Sequence, residues 1–157
     1  MNSRDTLFYK KINTPIGNLL LISDHDHLLE IRFNPQNSYD STKVTDVLLR
    51  TERQLQEYFK GKRRYFELAY KLDGTIFQKQ VWNSLIKIPY GKTISYKTLA
   101  KRVGNKNKAR AVGNANGKNP IPIIIPCHRV IANDGSLGGY GGGLEIKNFL
   151  LKLEQNS

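Results

Sequence analysis

A cysteine, a histidine and an arginine that follow one another have the clearest chemical potential in this sequence. Cys127 is the only cysteine, and it follows an aliphatic segment, 121–125, that ends at Pro126. The aliphatic run predicts a buried strand, and proline, which has no N–H to donate, predicts its end. A thiol beside cationic groups ionises more readily, and the thiolate is the nucleophile. A lone cysteine is more often a small core residue, but that role gains nothing from His128 and Arg129, so we interpret Cys127 as a nucleophile.

The distribution of charge favours an anionic partner. The formal net charge is +12, and no acidic residue lies between Asp73 and Asp134, an interval that contains eleven lysines and arginines. A strong basic excess favours nucleic acid, a membrane surface or an acidic substrate. Because an ordinary solvated surface carries both signs of charge, the interval predicts a contact surface for a polyanion such as nucleic acid.

Cysteine content and hydropathy indicate the compartment. One cysteine cannot form an internal disulfide, which is typical of a reducing cytoplasm. No apolar run approaches the roughly 18–20 residues of a membrane span, and the first residues carry no signal-peptide pattern. We therefore expect a cytoplasmic protein with no membrane partner. No spacing of cysteine and histidine suits zinc, so no metal site is predicted.

The first part of the chain predicts an α+β lobe. Three short strands, at 6–13, 18–23 and 28–33, are separated by turn residues and predict an antiparallel meander. Apolar residues recur at helical spacing over 44–59 and predict an amphipathic helix that ends at Gly61.

A domain boundary is predicted after this lobe, which gives an N-terminal domain of 1–74 and a C-terminal domain of 75–157. The C-terminal domain is expected to be mostly helical. Thr75-Ile76-Phe77-Gln78 has the pattern of a capping box that begins a helix. The last helix is predicted at 144–154, with Leu144, Phe149, Leu150 and Leu151 facing inward.

Two short basic helices, at about 96–103 and 107–116, are joined by a turn at Gly104 and predict a helix–turn–helix. Asn107 is expected to cap the second helix. Small side chains dominate that helix, so few of its residues could form the bidentate base contacts that read sequence. Arg110 is its one long donor and could enter the base stack, which suits a protein that recognises damage.

The segment Pro126-Cys127-His128-Arg129-Val130 resembles the acceptor-cysteine motif of the O6-alkylguanine-DNA alkyltransferases, also called methylated-DNA–protein-cysteine methyltransferases. Arg110-Ala111-Val112-Gly113 and Asn119-Pro120 upstream, and Gly142-Gly143-Leu144 downstream, fit the same family. The resemblance is strong over the C-terminal domain and weak over the N-terminal domain. It implies a ribonuclease H-like N-terminal lobe and a C-terminal lobe that contains a winged helix–turn–helix.

The resemblance also implies the role of each site residue. Cys127 would accept the alkyl group, His128 would activate it through a water, and Glu154 would orient the histidine. Tyr96 would protonate or hydrogen-bond the guanine ring, and Asn119 would brace the turn that joins the recognition helix to the active site. The substrate pocket would be formed by Tyr96, Val130, Tyr140 and Gly141. DNA binding is assigned to Lys108, Ala109, Arg110, Ala111 and Asn116.

The function implied by the resemblance is DNA repair by direct transfer of the alkyl group from O6-alkylguanine in double-stranded DNA to Cys127, with O4-alkylthymine as a second candidate substrate. An S-alkyl cysteine has no good leaving group, so we expect one turnover per molecule, without a cofactor, from a monomer. Gly141 stands where the family often has a serine, so a backbone N–H would replace a hydroxyl beside the purine oxygen.

Other functions remain open at this point. A non-enzymatic protein that senses alkylated bases, or a helix–turn–helix regulator, would account for the basic helices and leave the Cys-His-Arg sequence without a role. A Cys–His hydrolase would account for Cys127 and leave the basic interval without a role. Alkyltransferase-like proteins lack the acceptor cysteine, which this chain has.

Overall fold

The computed structural model describes residues 6–37 and 43–157, and the chain forms two compact units, Met1–Asp73 and Gly74–Ser157. The sequence prediction of an α+β fold is confirmed: the first unit contains a three-stranded antiparallel sheet and a helix, and the second is mostly helical. None of the helices among the described residues is long and apolar enough to cross a membrane.

The sheet of the first unit is a meander of β1 (Phe8–Thr14), β2 (Gly17–Ser23) and β3 (Leu28–Phe33), paired in that order. Thr14 pairs with Gly17 across the first hairpin, and Gly17 has a φ of 100°, which glycine adopts without a steric penalty. The central strand contributes consecutive buried residues, and Leu19, Leu20 and Leu21 are fully inaccessible.

The helix of the first unit, α1 (Asp46–Phe59), packs on the sheet. It begins after Thr45, whose side chain accepts a hydrogen bond from the Leu48 N–H. Leu48, Leu55 and Tyr58 lie one or two turns apart and are fully buried, which is the apolar face that the spacing predicted.

The second unit begins with α2 (Ile76–Ile86), and its start at Thr75 is the predicted capping box: the Thr75 hydroxyl and the Gln78 amide each accept a hydrogen bond from the other residue's N–H. The indole of Trp82 on this helix donates to the Ala115 carbonyl over 2.8 Å. The elements that follow are β4 (Ile94–Ser95), α3 (Tyr96–Arg102), α4 (Ala109–Gly117), β5 (Val130–Ile131) and α5 (Leu144–Gln155).

A parallel ladder between β4 and β5 brings two distant segments of the second unit together. Ile94 pairs with Val130, and Ser95 pairs with Ile131. Tyr96 directly follows β4, and the cysteine segment directly precedes β5. The ladder therefore places the start of α3 beside the Cys-His-Arg segment.

The prediction of a buried strand at 121–125 is wrong, because this segment forms a compact buried turn. The Ile125 N–H donates to the Ile121 carbonyl over 3.0 Å, and Pro122 forms an isolated bridge with Ile125. Ile123 has a φ of 75°, outside the extended region. Prolines occur at positions 120, 122 and 126, and each removes a donor that a strand ladder would use.

Two details of the helices also differ from expectation. The side chain of Asn107 caps nothing; Asn105 accepts the Asn107 N–H and begins a 3-10 turn, Lys106–Lys108, that runs into α4. On α5, Leu150 and Leu151 are buried as predicted, but Leu144 is 53% exposed and Phe149 is 36% exposed.

Candidate active site

Cys127 begins a single 3-10 turn, Cys127–Arg129, directly after the buried turn. Cys127 is 5% exposed, and its backbone N–H donates to the Ile125 carbonyl over 2.8 Å. Burial raises the pKa of the Cys127 thiol to about 11, because desolvation outweighs the opposing effects of the Asn119 and Tyr140 side chains and of the Lys147 charge. The thiol is therefore neutral near pH 7, and attack on a substrate requires a base.

His128 and Arg129 both bind one carboxylate instead of the thiol. His128 Nε2 lies 2.6 Å from Glu154 Oε2. Arg129 donates to the same carboxylate twice, from Nε to Oε1 over 2.8 Å and from its second terminal nitrogen to Oε2 over 3.0 Å. Its remaining terminal nitrogen donates to the Ile88 carbonyl over 2.7 Å, and the Gly91 N–H donates to Glu154 Oε1 over 3.2 Å. The positive charge that the sequence placed beside the thiol is therefore paired with Glu154.

This arrangement fixes the ionisation and tautomer of the histidine. Burial alone would raise the pKa of Glu154, but the hydrogen bonds from His128 and Arg129 and the charge of Arg129 hold it well below its usual range. Burial lowers the pKa of His128 more than Glu154 raises it, so the imidazole is neutral. Because a carboxylate only accepts hydrogen bonds, Nε2 of His128 carries the proton. Nδ1 is then a lone pair, and it is buried without a hydrogen-bond partner in the described structure.

Tyr96 lies against two glycines that leave room for its ring. A Cβ on Gly113 of α4 would be 3.7 Å from Tyr96 Cδ1. A Cβ on Gly138 would be 3.0 Å from Tyr96 Cε2 and 3.2 Å from its hydroxyl, so a larger residue there would displace the ring. Burial raises the pKa of Tyr96, and a thiolate at Cys127 would raise it further. The phenol is therefore protonated near the thiol at neutral pH.

Asn119 and Val130 occupy the two flanks of the cysteine segment. The Asn119 side chain donates to the Ile125 carbonyl over 2.7 Å and accepts the Ile121 N–H over 3.0 Å, so it holds the buried turn closed. Val130 is fully buried, and its carbonyl accepts a 2.6 Å hydrogen bond from Lys147.

Lys147 is a residue of the site that the sequence analysis missed. It is fully buried, and its ammonium donates to the carbonyls of Val130, Leu137 and Gly139. Burial lowers its pKa to about 8, although a Cys127 thiolate would oppose that shift. Lys147 therefore fastens the glycine-rich loop to β5 and keeps a cation near the thiol. Its spacing to Glu154 is seven residues, which places both on one face of α5 and is the signal that could have identified it.

The loop held by Lys147 contains the two remaining pocket residues. Tyr140 is half-buried, and its side chain lies close enough to the Cys127 thiol to oppose the rise in the thiol pKa. Gly141 is exposed, and a Cβ built there would have no atom within 4 Å. The site therefore has open space at the position where the resembled family often has a serine.

The residues assigned to DNA binding divide into two groups. Lys108, Arg110 and Ala111 are exposed and Ala109 is partly exposed at the start of α4, and the Lys108 ammonium lies 5.6 Å from the centroid of the Phe77 ring. Asn116, in contrast, is 4% exposed, and its amide donates to the Cys127 carbonyl over 3.3 Å. The sequence analysis assigned Asn116 to DNA binding, whereas α4 turns this side chain towards the cysteine.

The basic interval forms an exposed cationic surface on the second unit. Of its eleven lysines and arginines only Arg129 is buried, and no ion pair joins the other ten to a carboxylate among the described residues. Those ten are Lys79, Lys87, Lys92, Lys97, Lys101, Arg102, Lys106, Lys108, Arg110 and Lys118.

Comparisons with protein families match both units. A family model described as "6-O-methylguanine DNA methyltransferase, DNA binding domain" matches residues 76–156. A second, described as "6-O-methylguanine DNA methyltransferase, ribonuclease-like domain", matches residues 7–72.

Comparisons with individual proteins agree with the two family matches. The methylated-DNA–protein-cysteine methyltransferase of Methanosarcina acetivorans is 44% identical over 155 residues, which cover 94% of this chain and 98% of that protein. The constitutive enzyme of the same name from Bacillus subtilis is 40% identical and covers 96% of each chain. The crystal structure of Mycobacterium tuberculosis OGT in complex with DNA superimposes with a TM-score of 0.88, at 44% identity over 95% of this chain and 93% of that chain. The chain belongs to the methylated-DNA–protein-cysteine methyltransferase family.

Proposed function

We propose that this protein repairs double-stranded DNA by moving the alkyl group of O6-alkylguanine to the sulfur of its own Cys127, once per molecule. The observation that supports this most strongly is the buried pair of Cys127 and a neutral His128. The lone pair of His128 Nδ1 is unpartnered, and the other ring nitrogen is held by Glu154.

The reaction begins with loss of the thiol proton. His128 Nδ1 takes this proton, through a bridging water, and Glu154 stabilises the imidazolium that forms. The Cys127 sulfur then attacks the alkyl carbon in line with the C–O bond. As the S–C bond forms, the C–O pair moves onto the guanine. The Tyr96 hydroxyl stabilises the resulting guanine anion by a hydrogen bond and then gives its proton to the ring. The imidazolium proton of His128 returns to the tyrosinate through solvent, which leaves S-alkyl Cys127, neutral guanine and neutral His128 and Tyr96.

The cationic surface supports the proposal that the substrate is double-stranded DNA. A base inside a duplex cannot reach a buried thiol, so the nucleotide must be flipped out at a cost of a few kcal/mol. Arg110 is exposed among small side chains on α4, which suits a side chain that fills the vacated position in the stack. If about six phosphates are neutralised, affinity falls by about 10³-fold between about 50 and about 200 mM salt.

We infer a monomer in a reducing compartment such as the cytoplasm. Every residue of the site comes from one chain, and a single acceptor thiol must stay reduced to act. O4-alkylthymine is a second candidate substrate, since it also presents an alkyl group on an exocyclic oxygen beside a ring nitrogen.

Intact-protein mass spectrometry tests the proposal directly. After incubation with O6-methylguanine DNA, Cys127 should gain about 14 Da, one methyl in place of a proton, as covalent acceptance of the group requires. Cys127→Ala should bind the same DNA and gain nothing. An unmodified Cys127 after prolonged incubation would favour the damage-sensing alternative, and continued release of repaired guanine beyond one equivalent would favour a hydrolase.

A further inference from the structure

We propose that Asn116 is a positioning residue for the alkyl transfer. Its buried amide donates to the oxygen of the Tyr96 hydroxyl, so that the hydroxyl proton is left to point at the guanine ring in the pocket. The inference rests on the proposed function and adds a residue that acts through Tyr96 and does not itself touch the substrate.

The first support is the placement of Asn116. It follows Gly113 by three residues on α4, so the two lie on one face of the helix. Gly113 is the residue against which the Tyr96 ring packs, with only 3.7 Å between Tyr96 Cδ1 and the position of a Cβ. Asn116 therefore faces the same side as Tyr96, and it is 4% exposed there.

The second support is the direction in which the amide must point. Its nitrogen donates to the Cys127 carbonyl over 3.3 Å, and a carbonyl can only accept. The NH2 group therefore faces the site, and its second N–H is available to Tyr96. A hydrogen bond from Asn116 would oppose the rise that burial causes in the pKa of Tyr96, which is the direction that a donor to the phenol oxygen produces.

The third support is the cost of the arrangement. The Asn116 side-chain oxygen is buried and has no hydrogen-bond partner among the described residues. A position that served packing alone would be filled more favourably by an apolar side chain of the same size. The two N–H groups of the amide offset the unpartnered oxygen, because one donates to the Cys127 carbonyl and the other is available to the Tyr96 hydroxyl.

The consequence concerns the phenolic proton. A hydroxyl that accepts from Asn116 must use its own proton elsewhere. The titratable groups that face Tyr96 are the Cys127 thiol and, from α5, the Lys147 ammonium, which lies 5.9 Å from the ring centroid. The ammonium cannot accept a hydrogen bond. The open direction for the proton is the pocket, where the guanine ring needs a donor once the C–O bond breaks.

A double-mutant cycle with single-turnover kinetics tests this. Asn116→Leu keeps the size and removes both donors, and we expect it to slow methyl transfer at saturating DNA by about tenfold, a part of what a general acid contributes. The same change in a Tyr96→Phe background should slow transfer less than about twofold, because the hydroxyl it positions is gone. DNA affinity should stay the same. Equal factors in both backgrounds would overturn the proposal and leave Asn116 as a brace for the Cys127 carbonyl.

Asn116→Asp supplies a second variant of matched shape with a pH signature. Its carboxylate would accept the Tyr96 proton and draw it away from the pocket, so transfer should be slower than in Asn116→Leu near pH 8. Relative to the unmodified protein at each pH, the aspartate variant should recover as the pH falls to about 5, since a protonated carboxyl can donate again. The leucine variant should show a constant ratio. A constant ratio for the aspartate variant would contradict the proposal, whereas failure of the unmodified protein to accept any methyl group would instead contradict the proposed function.

Discussion

Replacing Glu154 by glutamine should damage both the stability of the second unit and its chemistry. Glu154 accepts from His128 Nε2, from two nitrogens of Arg129 and from the Gly91 N–H. A glutamine has one acceptor oxygen, so its NH2 group must replace either Oε1, which accepts from Arg129 Nε and the Gly91 N–H, or Oε2, which accepts from His128 and Arg129. In either orientation the NH2 group faces a guanidinium N–H, and a hydrogen bond is replaced there by a repulsive contact between two donors.

The size of the stability loss follows from burial. Arg129 is 6% exposed and would keep a hydrogen bond to the Ile88 carbonyl and one to the glutamine oxygen, but it would have lost its counter-charge. Removing one partner of a buried ion pair costs about 3–5 kcal/mol, because the other charge stays buried without compensation. Urea unfolding of Glu154→Gln should show a loss of this size. The matched control is Glu145→Gln, which changes an exposed carboxylate in the first turn of the same helix and should cost less than about 1 kcal/mol.

The pH dependence has a fixed sign. The folded pKa of Glu154 is held below its ordinary value, so the carboxylate contributes stability that is complete above its unfolded pKa near about 4.3. That contribution is lost as the pH falls towards the folded pKa. The stability gap between the unmodified protein and Glu154→Gln should therefore be largest near neutrality and shrink in acid.

The kinetic part is measured under conditions where the variant is folded. Transfer from O6-methylguanine DNA should slow by about 10²-fold, because the histidine base loses the partner that fixes its tautomer. A stability loss no larger than that of Glu145→Gln would refute the reasoning about the buried ion pair. Unchanged transfer by a folded Glu154→Gln would refute the role of the carboxylate in orienting His128.

Three further changes test separate parts of the site. His128→Ala should slow transfer by about 10²-fold near neutrality. Because the thiol pKa is about 11, the rate of this variant should recover as the pH rises and more of the thiol ionises without a base. A deficit that is constant with pH would argue against the loss of a base. Arg110→Ala should impair transfer from duplex DNA by about 10-fold or more and leave the free alkylated base nearly unaffected, and equal losses would exclude a role in flipping. Gly141→Ser adds a hydroxyl at a position where a Cβ has no atom within 4 Å. It should accelerate transfer about fivefold, which is the net value of one hydrogen bond to the purine oxygen. The control, Gly141→Ala, should not accelerate transfer.

Local patterns predicted the elements whose signals lie within a few residues. The capping box at Thr75, the helical spacing of α1 and the meander of three strands each depend on neighbours in the sequence, and all three are confirmed. The segment 121–125 was misassigned because an aliphatic run indicates burial without indicating shape. Its turn depends on the Asn119 side chain, which satisfies backbone groups at both ends of the segment.

The electrostatics of the site could not be predicted from which residues are neighbours in the sequence. Arg129 lies two residues after Cys127, and this closeness suggests that it lowers the pKa of the thiol. The structure pairs Arg129 with Glu154, twenty-five residues away, and burial raises the thiol pKa instead. Which charge pairs with which is decided by the packing of α5 against the cysteine segment, and that information is tertiary.

The last helix supports the site from two points. Lys147 and Glu154 lie two turns apart on the buried face of α5, with Leu150 and Leu151 between them. The lysine holds the glycine-rich loop and the Val130 carbonyl, whereas the glutamate holds His128 and Arg129. A rotation of this helix would loosen the pocket wall and the base together. Burying two charges on one short helix is unfavourable for stability alone, and both are used to place groups around a single thiol. By packing in the core, Leu150 and Leu151 therefore also fix the positions of Lys147 and Glu154 relative to the thiol.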